Sequence, residues 1–187
     1  MAERNRVCPP WVGYLLLSPL RKLFENPDKL LAPHVRPGMT VIDLGCAMGF
    51  FSLPLARMVG ETGKVVCVDV QRKMLDKLQS RAVAAGLSER IETHLCPEHG
   101  LGLDRLRGQV DFAVAIHVMH ELPTMAPALC ELYELCKPGA RMAIYEPGGH
   151  VSRQAFEDTL DQARQAGWLV EDQNGSRRSR QAVLRRD

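Results

Sequence analysis

The chain predicts a doubly wound α/β fold: a sheet of seven strands, mostly parallel with the last strand antiparallel, and helices on both faces. Three observations predict it. Short apolar runs alternate with helix-length segments from residue 40 to residue 170, the first of those runs breaks into glycines, and the last two runs are separated by turn residues where a helix would otherwise stand.

Residues 11–36 precede the first strand and read as short helical pieces. Ser18-Pro19 and Asn26-Pro27 each pair a helix-capping residue with a proline suited to the first helical position. Leu16, Leu20, Leu23 and Phe24 give one apolar helical face and Leu30 and Leu31 a second, before Pro37-Gly38 turns the chain. Strands are then predicted over 40–44, 64–70, 91–95, 110–116, 141–145, 168–170 and 180–184. Helices are predicted over 51–59, over 72–85 ended by Gly86, over 127–136 stopped by Lys137-Pro138-Gly139, and over 152–166 with Ser152 as cap. Asp172-Gln173-Asn174-Gly175 is a hairpin signal, so the final two strands should pair antiparallel.

At 187 residues, 45% hydrophobic and 25% charged, the composition is that of a globular domain and excludes disorder as the main state. A single domain over 1–187 is expected, with 1–37 as a helical N-terminal lid segment and 38–187 as the core. The start lacks a signal-like apolar stretch, and no apolar run approaches bilayer length, so a cytoplasmic protein without a membrane partner is expected. The six cysteines form no Cys-x-x-Cys pair, and Cys67, Cys130 and Cys136 lie in apolar patterns where a free thiol packs as a small hydrophobe. No metal is expected. A net charge of +2 does not imply a polyanion partner, and the one basic cluster is Arg177, Arg178, Arg180, Arg185 and Arg186.

The most informative stretch is Val41-Ile42-Asp43-Leu44-Gly45-Cys46-Ala47-Met48-Gly49-Phe50, followed by Val68-Asp69-Val70. An apolar run breaking into glycines reads as a strand, a tight turn and a helix, so the backbone can approach a ligand closely. Asp69, at the end of the next apolar run, stands where a carboxylate grips the vicinal hydroxyls of a ribose. Asp43 separates two cofactor classes. A carboxylate beside the turn would repel a pyrophosphate but favours a ligand with a sulfonium and an ammonium.

The stretch resembles motif I of the class I S-adenosylmethionine (SAM) dependent methyltransferases, a Rossmann-like family, with Asp69 as the ribose-binding acid. The family's Asp-x-Gly-x-Gly-x-Gly appears here with Ala47 in place of the central glycine, which is tolerable where residue 47 keeps φ below zero. The antiparallel final strand resembles the same family, and the resemblance covers residues 38–186. It implies SAM as cofactor, held by Asp43, Gly45, Cys46, Ala47, Gly49, Asp69 and Val70, with Cys96 and Pro97 offering backbone groups to the adenine beside Glu98.

In open α/β sheets ligands bind beyond the C-terminal ends of the strands. The fourth strand ends in Ile116-His117-Val118-Met119-His120-Glu121, without the Asn/Asp-Pro-Pro-Tyr tetrad of methyltransferases that act on nucleobase or amide nitrogens. The segment resembles small-molecule methyltransferases of the ubiquinone-biosynthesis and arsenite-type branch, where it passes beneath the methionine moiety, which adds His117 to the cofactor contacts. His117 or His120 can serve as a general base, one of the two being expected to turn inward as a hydrogen-bonded structural histidine. The fifth strand ends in Tyr145-Glu146-Pro147-Gly148-Gly149-His150, placing Glu146 and His150 toward an acceptor. Trp11 and Tyr14 are candidates for a pocket wall in a lid.

The sequence therefore points to methyl transfer from SAM to a small-molecule acceptor by in-line displacement; oxygen, sulfur, nitrogen and carbon nucleophiles all fit the pattern. Three rivals stand beside it. A nicotinamide-dependent oxidoreductase is opposed by Asp43 and by the missing Ser/Tyr-x-x-x-Lys pattern. An RNA methyltransferase rests on the C-terminal arginines alone, so no nucleic-acid partner is expected. A non-catalytic SAM-binding module shares every cofactor feature.

Overall fold

The computed structural model describes residues 25–97, 99–176 and 179–187. Their seven strands make the mixed sheet that the alternation predicts. The chain divides into two compact units, one ending at Pro97 and the other running from Glu98 to Asp187.

The first unit carries β1 (Thr40–Leu44), β2 (Lys64–Asp69) and β3 (Ile91–Leu95), in the order β3-β2-β1 and all parallel. Val41, Ile42, Val65, Val66, Cys67 and Val68 are buried in succession. That continuous burial is what a parallel strand covered on both faces requires, and it explains why these runs do not alternate apolar with polar. Helix α1 (Pro27–Leu31) opens at Asn26, whose Oδ1 accepts the amides of Asp28 and Lys29 at 3.0 and 3.2 Å. Helices α2 (Ser52–Met58) and α3 (Arg72–Ala84) follow β1 and β2. On α3, Met74, Leu75, Leu78 and Ala82 form one buried stripe at helical spacing.

The second unit carries β4 (Val110–Ile116), β5 (Cys136–Pro147), β6 (Trp168–Gly175) and β7 (Ser179–Arg186), in the order β4-β5-β7-β6. β4 and β5 are parallel, and β7 is antiparallel to both β5 and β6. The chain leaves β5, crosses through α5 (Arg153–Gln165) to β6, and returns by a hairpin to fill the gap with β7. Ser152 caps α5, its Oγ accepting the Ala155 amide at 3.0 Å, as its sequence position predicts. Trp168 anchors this end: it is buried, donates from Nε1 to the Leu129 carbonyl on α4 (Met125–Leu135) at 2.9 Å, and meets the Tyr133 ring edge-on at 5.5 Å.

Several boundaries differ from the sequence reading, three of them through pairing or capping. β5 begins at Cys136, five residues early, because Val110 pairs with Cys136 before a register shift brings Phe112 opposite Arg141. α4 begins at Met125, two residues ahead of Pro127, which falls inside the first turn where its missing N–H leaves no helical bond unmade. The hairpin does not turn at Asn174-Gly175, which remain in β6 opposite Gln181 and Arg180. The turn is closed instead by Ser176 and Ser179: the Ser176 amide donates to the Ser179 carbonyl at 2.9 Å and the Ser179 amide to Ser176 Oγ at 3.2 Å. Trp11, Tyr14 and the rest of the proposed lid up to residue 24 lie outside the described residues, as does Glu98.

Candidate functional site

In the first unit, the turn after β1 is folded around the end of β2. Gly45, Ala47 and Gly49 all have positive φ, at 70°, 45° and 79°. For the two glycines this conformation carries no steric penalty. At Gly49 there is a second constraint: a Cβ would press on Cδ1 of the buried Leu78 on α3, which would have to shift. Ala47 corrects the sequence reading. Its φ is in the left-handed region, not below zero, so the methyl that replaces the central glycine is strained and not merely tolerated.

The turn amides are engaged inside the protein. Gly45 and Cys46 both donate to the Val68 carbonyl, at 2.8 and 3.1 Å, Ala47 donates to Asp69, and Gly49 donates to the Cys46 carbonyl at 2.9 Å. These four N–H groups do not await an anion, which departs from the expectation that they approach a ligand as donors and disfavours a pyrophosphate. The Cys46 side chain is buried with Cys67 beside it, and burial together with the Cys67 thiol pushes its pKa well above that of a free thiol; Cys46 thus contributes to the turn through its backbone and not as a contact side chain.

Asp69 holds the cradle together. Its Oδ1 accepts the Gln71 amide at 2.8 Å and its Oδ2 the Ala47 amide at 2.9 Å, while its own carbonyl accepts the Cys96 amide at 2.9 Å. A carboxylate offers about four acceptor sites, so the backbone amides around Asp69 leave it capacity for a ligand hydroxyl. Burial raises the Asp69 pKa, and the amides of Gln71, Ala47 and Val70 act against that rise. Val70 and Leu95, at the ends of adjacent strands, expose 55% and 37% of their surface, a pair of apolar groups left open beside the acid. Pro97 is exposed and Cys96 half-buried.

Asp43 is 2% exposed, and its Oδ2 accepts a 2.6 Å bond from Ser52 Oγ. Burial pushes its pKa up to about 7, the Ser52 hydroxyl works against that, and the negative charge of Asp69 adds to it. A nearby cation would favour the ionised form. Sequence reasoning missed Ser52; the available signal was a hydroxyl in the otherwise apolar run Phe50-Phe51-Ser52-Leu53. It also missed Arg81, which reaches from α3 to the Met48 carbonyl of the turn.

In the second unit, the rim formed by the ends of β4 and β5 collects the other expected residues. His117 follows β4 with φ at 58°, and its amide donates to the Tyr145 carbonyl at 2.7 Å. A left-handed non-glycine residue at a strand end is a place where backbone strain is maintained. A short 3-10 turn, Met119–Glu121, then presents His120. Glu146, at the end of β5, is 1% exposed; its Oε1 accepts the Met119 amide at 2.9 Å and its Oε2 meets Nδ1 of His120. The expectation that Glu146 faces an acceptor is therefore corrected: both oxygens are spent on the turn that carries His120. The hydrogen bond to Glu146 raises the His120 pKa, against the opposing effect of partial burial. The side chain of His120 stays 28% exposed, so neither histidine is turned into the core. His150 is exposed, its ring centroid 6.3 Å from that of His120. Among the described residues, no three His, Cys, Asp or Glu side chains cluster to hold a metal, and no helix is long and apolar enough to cross a membrane.

A profile of the methyltransferase domain family matches residues 36–181. The chain is 32% identical over 116 residues to the ubiquinone/menaquinone biosynthesis C-methyltransferase UbiE of Haemophilus ducreyi, covering 60% of this chain and 42% of that protein. It is 28% identical over 136 residues to the demethylmenaquinone methyltransferase of Desulfitobacterium hafniense, covering 73% and 50%. The crystal structure of a SAM-dependent methyltransferase from Aquifex aeolicus superposes with a TM-score of 0.85 at 26% identity, covering 97% of this chain and all of that one. The chain spans about half the length of the two curated relatives. It belongs to the methyltransferase domain family and shares its fold with that SAM-dependent methyltransferase.

Proposed function

We propose that the protein transfers a methyl group from SAM to a small aromatic acceptor of the hydroquinone type. The observation that carries the cofactor half of this reading is the Asp69 carboxylate, fixed by two backbone amides and still able to accept the hydroxyls of a ribose. Val70 and Leu95 would flank the adenine with apolar surface, Cys96 and Pro97 would border it, and Gly45 and Gly49 would let the backbone come close. Asp43, buried and bonded to Ser52, would act through its field on a cationic ligand and not through a direct contact. When bound, SAM supplies an electrophilic methyl carried by a sulfonium, open to in-line displacement. What remains for the chain is to position the acceptor and to receive a proton. The acceptor half of the reading is supported by the demethylmenaquinone and ubiquinone/menaquinone methyltransferases among the relatives.

Calorimetric titration with SAM, S-adenosylhomocysteine and NAD in parallel tests the cofactor half. Micromolar binding of the first two without the third is the expected result, and binding of NAD alone would overturn it. Transfer of a labelled methyl group from SAM to 1,4-naphthalenediol, kept reduced, tests the acceptor half.

A further inference from the structure

We propose that Glu146 is the positioning residue of a proton-accepting dyad, holding His120 with Nδ1 protonated so that Nε2 is free to take a hydroxyl proton from the acceptor. The proposal rests on the reading above for the acceptor and on the second unit's own geometry for the dyad. Glu146 is the buried member, at 1% exposure, and its two oxygens divide their work. Oε1 accepts the Met119 amide at 2.9 Å and fixes the 3-10 turn; Oε2 meets Nδ1 of the next residue, His120. One carboxylate thus sets both the backbone and the ring of the same short segment.

A carboxylate at Nδ1 selects the tautomer with its proton on that nitrogen, which leaves Nε2 as the acceptor. The ring remains 28% exposed, so Nε2 can meet a substrate and can afterwards release the proton to water. The groups facing His120 are Glu146 from β5, Glu121 from its own turn, and the ring of His150 at 6.3 Å. Two of the three are carboxylates, and they favour the imidazolium that proton uptake creates.

In the step itself, Nε2 takes the hydroxyl proton and leaves the electron pair on the acceptor, where it is available to form the bond to the methyl carbon. The bond from that carbon to sulfur breaks, and its electrons remain on sulfur as a neutral thioether. The positive charge is passed to His120, opposite Glu146, and from there a proton goes to solvent. An acceptor that needs this assistance has a hydroxyl ionising well above neutral pH, as a hydroquinone does, and loses the need once it is already ionised.

The first measurement is acceptor-independent: nitrogen NMR of the histidine rings in the wild-type protein and in Glu146→Gln, with His120→Gln used for assignment. The Nδ1-protonated tautomer is expected for His120 in the wild type, with a pKa that falls in Glu146→Gln. An Nε2-protonated ring, or a pKa unmoved by the substitution, overturns the dyad whatever the acceptor. The second measurement is labelled methyl transfer to 1,4-naphthalenediol. His120→Gln should lower kcat by about 10²–10⁴-fold, and Glu146→Gln should lower it less while shifting the alkaline-rising limb of the pH profile to lower pH, whereas Glu146→Asp should recover part of the loss. Turnover that survives His120→Gln overturns the base role while leaving the function intact. Failure of the wild type to methylate the diol refutes the hydroquinone reading, and the NMR result alone then decides the dyad.

Discussion

The amide of Ala47 donates to Oδ2 of Asp69 at 2.9 Å, tying the turn after β1 to the acid that ends β2. The Gln71 amide holds the other oxygen at 2.8 Å, so the carboxylate is oriented by the two segments on either side of it before any ligand arrives. A carboxylate fixed this way would lose little side-chain freedom on accepting a ligand hydroxyl, and preorganisation of that kind raises affinity.

Asp69→Ala removes the partner of two amides and, on the proposed function, the acceptor of the ribose hydroxyls. Hydrogen bonds to a charged group contribute about 1.5–3 kcal/mol each, so S-adenosylhomocysteine affinity should fall about a hundredfold or more, with a loss of thermal stability as the amides of Ala47 and Gln71 lose their partner. Asp69→Asn keeps a single acceptor and should fall between the two. Calorimetric titration of both variants checks this, and unchanged affinity would remove Asp69 from the cofactor site.

Ala47→Gly should stabilise the protein. A left-handed alanine costs roughly 1–2 kcal/mol, while glycine loses about 0.5–1 kcal/mol of that advantage to the greater freedom of its unfolded chain. The net gain lies between zero and about 1.5 kcal/mol, each kcal/mol raising the melting temperature by about 2–4 °C for a chain of this size. Ala47→Val should move it the other way, because a β-branched residue fits φ of 45° worse still. Scanning calorimetry of the two variants reads the sign directly.

Strand and helix positions were legible because apolar runs such as Val65–Val68 admit a buried parallel strand and because Asn26 and Ser152 advertise their caps. Boundaries set by tertiary pairing were not. The early start of β5 depends on Val110 opposite Cys136, and the displaced hairpin turn on Ser176 meeting Ser179, neither of which leaves a local trace. Asp69 and the glycines could be read from spacing, but the sign of φ at Ala47 could not, because alanine is compatible with every ordinary backbone conformation. Glu146 shows the same limit. Its type suggested chemistry, whereas its burial and its bonds to Met119 and His120 come from strand pairing and reassign it from acceptor to support.

The C-terminal arginines should not give the protein strong affinity for RNA. Among the described members, Arg185 is paired with Glu171 at 2.9 Å and Asp187 at 3.5 Å, Arg186 is bonded to the carbonyls of Glu134 and Cys136 and lies 4.8 Å over the Tyr133 ring, and Arg180 is bonded to the carbonyls of Ser176 and Ser179. Cations already engaged with carboxylates and backbone release few counterions on meeting a phosphate chain. Fluorescence anisotropy with a structured RNA at two salt concentrations should show weak binding with a shallow salt dependence. Tight binding with a steep slope would restore the RNA reading.

The contribution of Asp43 to the stability of the protein should fall as pH rises from about 4 to about 7. Its folded pKa of about 7 lies above the 3.8 of a free aspartate, so within that window the native state holds a proton that the unfolded chain has released. Stability decreases with pH wherever the native state binds more protons, which makes this contribution full below pH 4 and lost as pH passes 7. Asp69 and His120, both raised, act in the same direction, so the wild-type curve alone does not isolate Asp43. The comparison with Asp43→Asn does. Asparagine offers Ser52 Oγ the same kind of acceptor without a charge to desolvate, and a rise from 3.8 to about 7 corresponds to at most roughly 4 kcal/mol. The variant should match the wild type at pH 4.5 in chemical denaturation, exceed it at pH 8, and show a flatter profile between them. A constant difference across the range would mean that the Asp43 carboxyl is already ionised throughout, with an ordinary pKa in its buried place beside Ser52.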